Sequence, residues 1–255
     1  MNEESLVKCL RETKDVFDKN GIEFWLECGT LLGAVREGKI IEWDSDVDLG
    51  IWYDNATHVT SVFSGFKKRG FTAVLNRKKG TLSIRRLGCY VGVDLYRRRR
   101  DYAWTIPSCN PKDMKLGSRT YHTGTKMIEK LLLWCMDVFA EITYTQPEGK
   151  FIRKHELFSS LLPLTLKRLV ARMIWYVMDR RGCIIPLVVP KRYLEKLSTI
   201  EFYGMKFKAP FDVEKYLEYR YGRNWKMPTK EWRYANDGAM NPEVRLCDFL
   251  AGEKK

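Results

Sequence analysis

The chain has 255 residues, 45% of them hydrophobic and 30% charged, which suits one well-filled domain or a core with a substantial appendage. Its 45 Lys+Arg against 32 Asp+Glu give a formal net charge of +13, a balance that points to polyanionic partners such as nucleic acid, anionic lipid or phosphorylated ligands. No zinc-finger spacing, RRM-type aromatic motif or long basic tail accompanies that charge, which argues against nucleic acid as the partner. The opening MNEESLVKCLRETKD has neither a basic n-region nor an apolar h-region, so no signal peptide is expected. No stretch approaches the roughly 18 uncharged apolar residues of a spanning helix. Seven scattered cysteines without a C-x-x-C pair read as reduced, buried thiols, and with them a cytoplasmic location is expected.

In chain order, Leu6, Leu10, Val16 and Phe17 recur among charges and predict an amphipathic helix over 4–19, ended by Asn20-Gly21. IEFWLEC (22–28) reads as a buried strand, followed by Gly29-Thr30 and a short helix over 31–36 with Thr30 as its N-cap. DVDLGIWY (46–53) alternates polar and apolar residues, as a half-buried strand does. A helix is expected over 56–69, then strands at 71–75, 81–87, 89–96 and 102–106. From about 124 the pattern turns helical, most clearly in KMIEKLLLWCMDVFAEI. The expected fold is α+β: a mixed sheet flanked by helices over 1–123, with a helix-rich region over 124–255 packed upon it.

The chemistry concentrates in GTLLGAVREGKIIEWDSDVDLGIW (29–52), where Asp44, Asp46 and Asp48 recur at alternate positions. On a strand, Asp46 and Asp48 project from one face roughly 6.5–7 Å apart, while Val47, Leu49 and Ile51 enter the core. Carboxylates that close repel, and one takes up a proton unless a cation lies between them. Mg²⁺ suits such a pair, since it binds one or two carboxylates and shares its other positions with water and substrate phosphates. Asp94, in YVGVDLY, is again an acid between apolar strand residues and supplies a third carboxylate. Gly29-Thr30, between a strand and a helix, offers backbone N–H groups and a positive dipole end to a phosphate. Arg36 and Lys39, just beyond, are placed to grip phosphate oxygens or to stand as solvated turn charges.

This segment resembles the signature of the LicD/fukutin family of phosphotransferases, a branch of the DNA polymerase β-type nucleotidyltransferase fold. Gly29, Thr30, Leu31, Leu32, Gly33, Arg36, Gly38, Trp43, Asp44, Asp46, Asp48 and Gly50 fall on the pattern, with Glu42 where the family usually has Pro. VDLY around Asp94 is similar to the second landmark, and Gly204, Pro210, Tyr216, Leu217, Tyr221, Gly222 and Pro228 echo a later one. The resemblance implies a nucleotidyltransferase-like core with Asp46, Asp48 and Asp94 as the catalytic, metal-holding acids for Mg²⁺, with Mn²⁺ as its substitute. It implies Gly29, Thr30, Arg36 and Lys39 as donor contacts. It further implies transfer of a phospho-alcohol, such as phosphocholine or ribitol phosphate, from a CDP-activated donor to a cell-surface glycan or its lipid-linked precursor, releasing CMP. Two alternatives stand beside it: a nucleotidyltransferase that releases pyrophosphate from NTP, and a non-catalytic nucleic-acid- or membrane-binding protein on the same fold.

Two basic segments remain. RRRR (97–100) reads as a solvated strand end or as a basic rim that attracts anionic substrate. LTLKRLVARMIWYVM (164–178) carries Leu166, Leu169, Val170, Met173, Ile174 and Val177 as a helical stripe, with Lys167, Arg168 and Arg172 off it. That pattern fits either a core helix or an interfacial helix holding the enzyme at the inner face of an anionic membrane.

Overall fold

The computed structural model describes residues 3–55, 59–76, 80–106, 142–145, 186–230, 232 and 236–240, with single positions 163, 166, 169, 173 and 176 between them. Helix α1 (Glu3–Lys19) buries Leu6, Cys9, Leu10, Thr13, Val16 and Phe17 on one face and ends ahead of Gly21, which has φ +65°. Strand β1 (Phe24–Leu26) leads directly into α2 (Cys28–Arg36), and β2 (Val47–Trp52) follows after a loop. A 3₁₀ turn at Tyr53–Asn55 follows β2, and of the helix expected over 56–69 the described residues show Val59 helical, a 3₁₀ turn at Thr60–Val62 and a short α3 (Phe63–Lys68), while 56–58 lie outside the described residues. The β-branched Thr60 and Val62 fall in the 3₁₀ turn, where an α-helix is weakened. Strands β3 (Thr72–Asn76), β4 (Thr81–Arg86), β5 (Cys89–Arg99) and β6 (Tyr102–Thr105) come next, close to their expected places.

The remaining strands are β7 (Ile142–Thr145), β8 (Leu187–Pro190), β9 (Ser198–Phe202) and β10 (Met205–Ala209), with α4 (Arg192–Glu195) after β8 and α5 (Val213–Tyr221) after β10. Among the described residues ten strands form a mixed sheet in the order β7-β3-β4-β5-β2-β1-β10-β9, with β6 branching from β5 and β8 pairing with β6. The fold class is the expected α+β sheet flanked by helices. Most of the helical pattern after 124 lies outside the described residues; the described C-terminal part adds strands as well as α5, and β10 pairs in parallel with β1.

The functional geometry rests on two pairings. β2 and β5 run parallel in register, with Asp48 opposite Gly92 and Gly50 opposite Asp94. Cross-strand partners share a face, so Asp48 and Asp94 stand diagonally on one side, each beside a glycine. On the other side Val47, Leu49, Ile51, Val91, Val93 and Leu95 are buried in the core. β1 pairs antiparallel with β2, setting Trp25 opposite Gly50. A Cβ on Gly50 would lie 2.3 Å from the Trp25 indole nitrogen, so only glycine admits the ring there.

The reading of all cysteines as reduced thiols needs correction. Cys9 on α1 and Cys89 at the start of β5 form a disulfide, their Cα atoms 6.5 Å apart. Packing α1 across the sheet brings them within bridging reach, which a separation of 80 residues did not announce. Cys28 is a buried free thiol, and Cys109, Cys135, Cys183 and Cys247 lie outside the described residues. The cysteine argument for a reducing compartment therefore falls away. No helix among the described residues is long and apolar enough to cross a membrane.

Candidate active site

The helix that opens the site starts earlier than its sequence suggests. Glu27 is the N-cap of α2 and makes no side-chain cap bond. Its backbone N–H donates to the Asp48 carbonyl at 3.1 Å and its carbonyl accepts from Leu31 N–H, so pairing with β2 fixes the start of the helix. Thr30 is consequently not the N-cap. It is buried inside the first turn, where its hydroxyl accepts the Asp48 backbone N–H at 2.8 Å. That bond fastens α2 to the strand carrying the acids, a holding role in place of an open contact with donor.

A cavity of about 470 Å³ opens beside this turn, lined on one side by Gly29, Asp44, Asp46 and Asp48 and on the other by Tyr221, Asn224, Trp225, Met227 and Lys230. Gly29 lies so close to Asp44 that a Cβ there would meet its Oδ2 at 2.3 Å. Arg36 lines the cavity; its guanidinium pairs with Glu37, with Nε 2.9 Å from Oε1, and reaches the Trp225 carbonyl at 3.5 Å. Lys39 is exposed and is not part of the cavity wall. Trp43 stands at the mouth, 40% exposed, with the Lys230 ammonium 5.2 Å from its ring centre. Tyr221 and Trp232 pack with ring centres 4.9 Å apart in the facing wall. That wall, from the end of α5 onward, had only the weak echo at Tyr221, Gly222 and Pro228 to announce it.

Burial and neighbouring charge raise three of the gathered carboxyls. Burial, a hydrogen bond with Asp46 and that neighbour's charge push Asp44 up to about 7. Asp48 is raised well above the carboxylate range by burial, then by Asp46, Asp44 and Asp94. Asp94 lies behind this group and outside the cavity wall, raised to about 7 by burial and by the charge of Glu27. Among the described residues no three His, Cys, Asp or Glu side chains converge tightly enough to enclose an ion. The donor set still fits Mg²⁺: hard carboxylate oxygens from Asp46 and Asp48 at the edge of an open cavity, leaving positions for water and phosphate. The arginines of 97–100 lie elsewhere. Arg97 stacks over Tyr53 at 4.0 Å and Trp104 at 4.9 Å, and Arg98 covers Trp52 at 3.7 Å while pairing with Asp54. Arg97 and Arg98 thus brace β5 and β6, Arg98 and Arg100 stay exposed as a solvated strand end would be, and none of the four lines the acidic cavity.

A strand–turn–helix stands beside paired acids on the next strand, an arrangement that could take phosphate together with a divalent metal. Residues 21–129 match the LicD/FKTN/FKRP nucleotidyltransferase domain. Over 73 residues it is 38% identical to an uncharacterised protein of Rickettsia prowazekii, covering 29% of this chain and 27% of that protein. Over 53 residues it is 49% identical to ribitol 5-phosphate transferase FKRP of Homo sapiens, covering 19% of this chain and 11% of FKRP. The alignments thus span about a quarter of the bacterial relative and a tenth of the human one. The solution structure of the antibiotic-resistance factor ANT(2'')-Ia aligns at 10% identity with a TM-score of 0.35, covering 71% of this chain and 99% of that one.

Proposed function

We propose that the protein transfers a phospho-alcohol from a CDP-activated donor to a hydroxyl of a cell-surface glycan or its lipid-linked precursor, with release of CMP. The observation that carries this reading is the cavity in which Gly29, at the first turn of α2, faces Asp44, Asp46 and Asp48. Mg²⁺ held by Asp46 and Asp48, with Asp94 as the third acid, would neutralise the charge on the donor diphosphate and on the departing CMP. The chain's own residues do the rest. Gly29 offers an unhindered backbone to a phosphate oxygen, and the Arg36 guanidinium adds positive charge on the same wall. Trp43 presents an exposed ring face with Lys230 over it, a flat platform suited to the donor base.

Thermal shift with CDP-ribitol, CDP-choline, CDP-glycerol and NTPs, each with Mg²⁺ and with EDTA, tests the donor class. Stabilisation by a CDP-alcohol only in the presence of Mg²⁺ is expected, because carboxylates and diphosphate otherwise repel. Stabilisation by NTP followed by pyrophosphate release would favour nucleotidyl transfer. Absence of any metal-dependent nucleotide binding would return the protein to a non-catalytic role.

A further inference from the structure

Beneath the cavity lies a buried charge cluster that the proposed chemistry does not use. Arg220 on α5 is 1% exposed, and Glu27 and Asp237 are likewise buried. The guanidinium holds Asp237 by Nε at 2.8 Å from each carboxylate oxygen and by Nη2 at 2.6 Å. Its Nη1 donates to Glu27 Oε1 and reaches the Tyr216 hydroxyl at 3.0 Å, and Nη2 reaches Cys28 Sγ at 3.5 Å. Glu27 also accepts from the Tyr216 hydroxyl and from the Trp25 indole N–H at 2.7 Å.

Buried ion groups of this kind are weak sources of stability, since apolar residues of similar volume often serve as well. What they fix is geometry. Glu27 and Cys28 are the two residues that launch α2, and Cys28 has φ +45°, a left-handed conformation unfavourable to a side chain. Gly29, at the cavity, is the next residue. Asp237 is in turn held by the Ala239 N–H at 2.9 Å, so the clamp is anchored at the far end of the described chain.

We propose that Arg220 is a positioning residue for the donor site: it holds Glu27 and Cys28 so that the strained turn presents the Gly29 backbone to the donor phosphate. The assignment of Gly29 to phosphate rests on the function proposed above. The clamp itself does not. α5 and residues 237–239 thereby belong to the catalytic unit, although they lie outside the matched family segment.

Hydrogen exchange and calorimetry on the full chain separate the two claims. Arg220→Lys keeps the charge but loses the planar fork that reaches both carboxylates and the thiol at once. In Arg220→Lys, amides of residues 28–31 should exchange at least about tenfold faster while those of β4 keep wild-type rates. Unchanged exchange at 28–31, or equal acceleration throughout, would overturn the proposal. Calorimetry with CMP and Mg²⁺, well below the melting temperature, should show at least about tenfold weaker binding to the folded variant; equal affinity would also overturn it. If the wild type itself fails to bind CMP with Mg²⁺, the proposed function is what falls, and exchange at 28–31 alone decides the clamp. Should Arg220→Lys not fold, Cys28→Ala removes the guanidinium's contact with Cys28 while both carboxylates stay paired, and, because Cys28 also lines the cavity, it is read by exchange at 28–31 alone: faster exchange there supports the clamp and unchanged exchange overturns it.

Discussion

Asp94→Asn should stabilise the metal-free protein, and by an amount that depends on pH. Asp94 is raised from 3.8 to about 7 in the folded state by burial and by Glu27. Below about pH 4 both folded and unfolded chains hold its proton, and the amide gains nothing over the neutral acid. Between about 4 and 7 only the folded chain keeps the proton, so wild-type stability falls as pH rises; above about 7 that loss is complete. A rise from 3.8 to about 7 corresponds to about 4 kcal/mol, a ceiling because the carboxyl is only half-buried and partly screened. Half of it moves the melting temperature of a chain this size by about 4–8 °C. The assay is thermal melting of wild type and Asp94→Asn in EDTA from pH 4 to 8.5. Asp44 and Asp48 titrate in both proteins, so the difference reports chiefly on Asp94. The variant's advantage should grow to about pH 7, then level off, and should narrow when Mg²⁺ is added, since the ion favours the ionised acids of the wild type. A gap that is constant with pH, or that shrinks as pH rises in EDTA, would refute the reasoning.

Two further perturbations follow from the same geometry. Gly29→Ala sets a methyl against the free end of the Asp44 side chain, which can swing away, so stability should change by under about 1 kcal/mol while donor KM rises; Gly50→Ala drives into the fixed Trp25 indole and should cost about 1–3 kcal/mol in chemical denaturation. Leu166, Leu169, Met173 and Tyr176 lie at helical spacing and are all exposed, and we propose that they meet an anionic membrane. Lys167, Arg168 and Arg172 would add roughly 1 kcal/mol each, about a hundredfold together in partitioning. Co-sedimentation with phosphatidylglycerol vesicles should exceed that with phosphatidylcholine and weaken in Lys167/Arg168/Arg172→Gln; equal binding to both lipids would remove the electrostatic part of the idea.

Local pattern made much of this site readable. The alternation through Asp46, Val47, Asp48 and Leu49 expects a strand over 46–53, and β2 spans Val47–Trp52. Asp94 was legible for the same reason, as an acid between apolar strand residues. What the sequence did not carry is the pairing that puts Gly50 beside Asp94, because a parallel register between β2 and β5 depends on the β3–β4 hairpin laid between them in the chain. Thr30 misled because a good N-cap residue is weaker evidence than the backbone bond from Glu27 to Asp48 that starts the helix. Arg220 was invisible: in EYRYGR it reads as a surface charge on a helix, and its partner Glu27 lies 193 residues away. The Cys9–Cys89 bridge has no local signal either. Contacts between distant segments leave no periodicity to read.

The central claim is that Asp46 and Asp48 hold a divalent ion for transfer from a CDP-activated donor. The most direct measurement is CMP release by the full chain, given Mg²⁺, a CDP-alcohol and an acceptor glycan, for wild type, Asp46→Asn and Asp48→Asn. The wild type should release CMP in step with acceptor modification and stop in EDTA, while each variant falls by about 10²–10³ or more yet keeps a cooperative melt. Near wild-type release by either variant, or turnover in EDTA, would contradict the account.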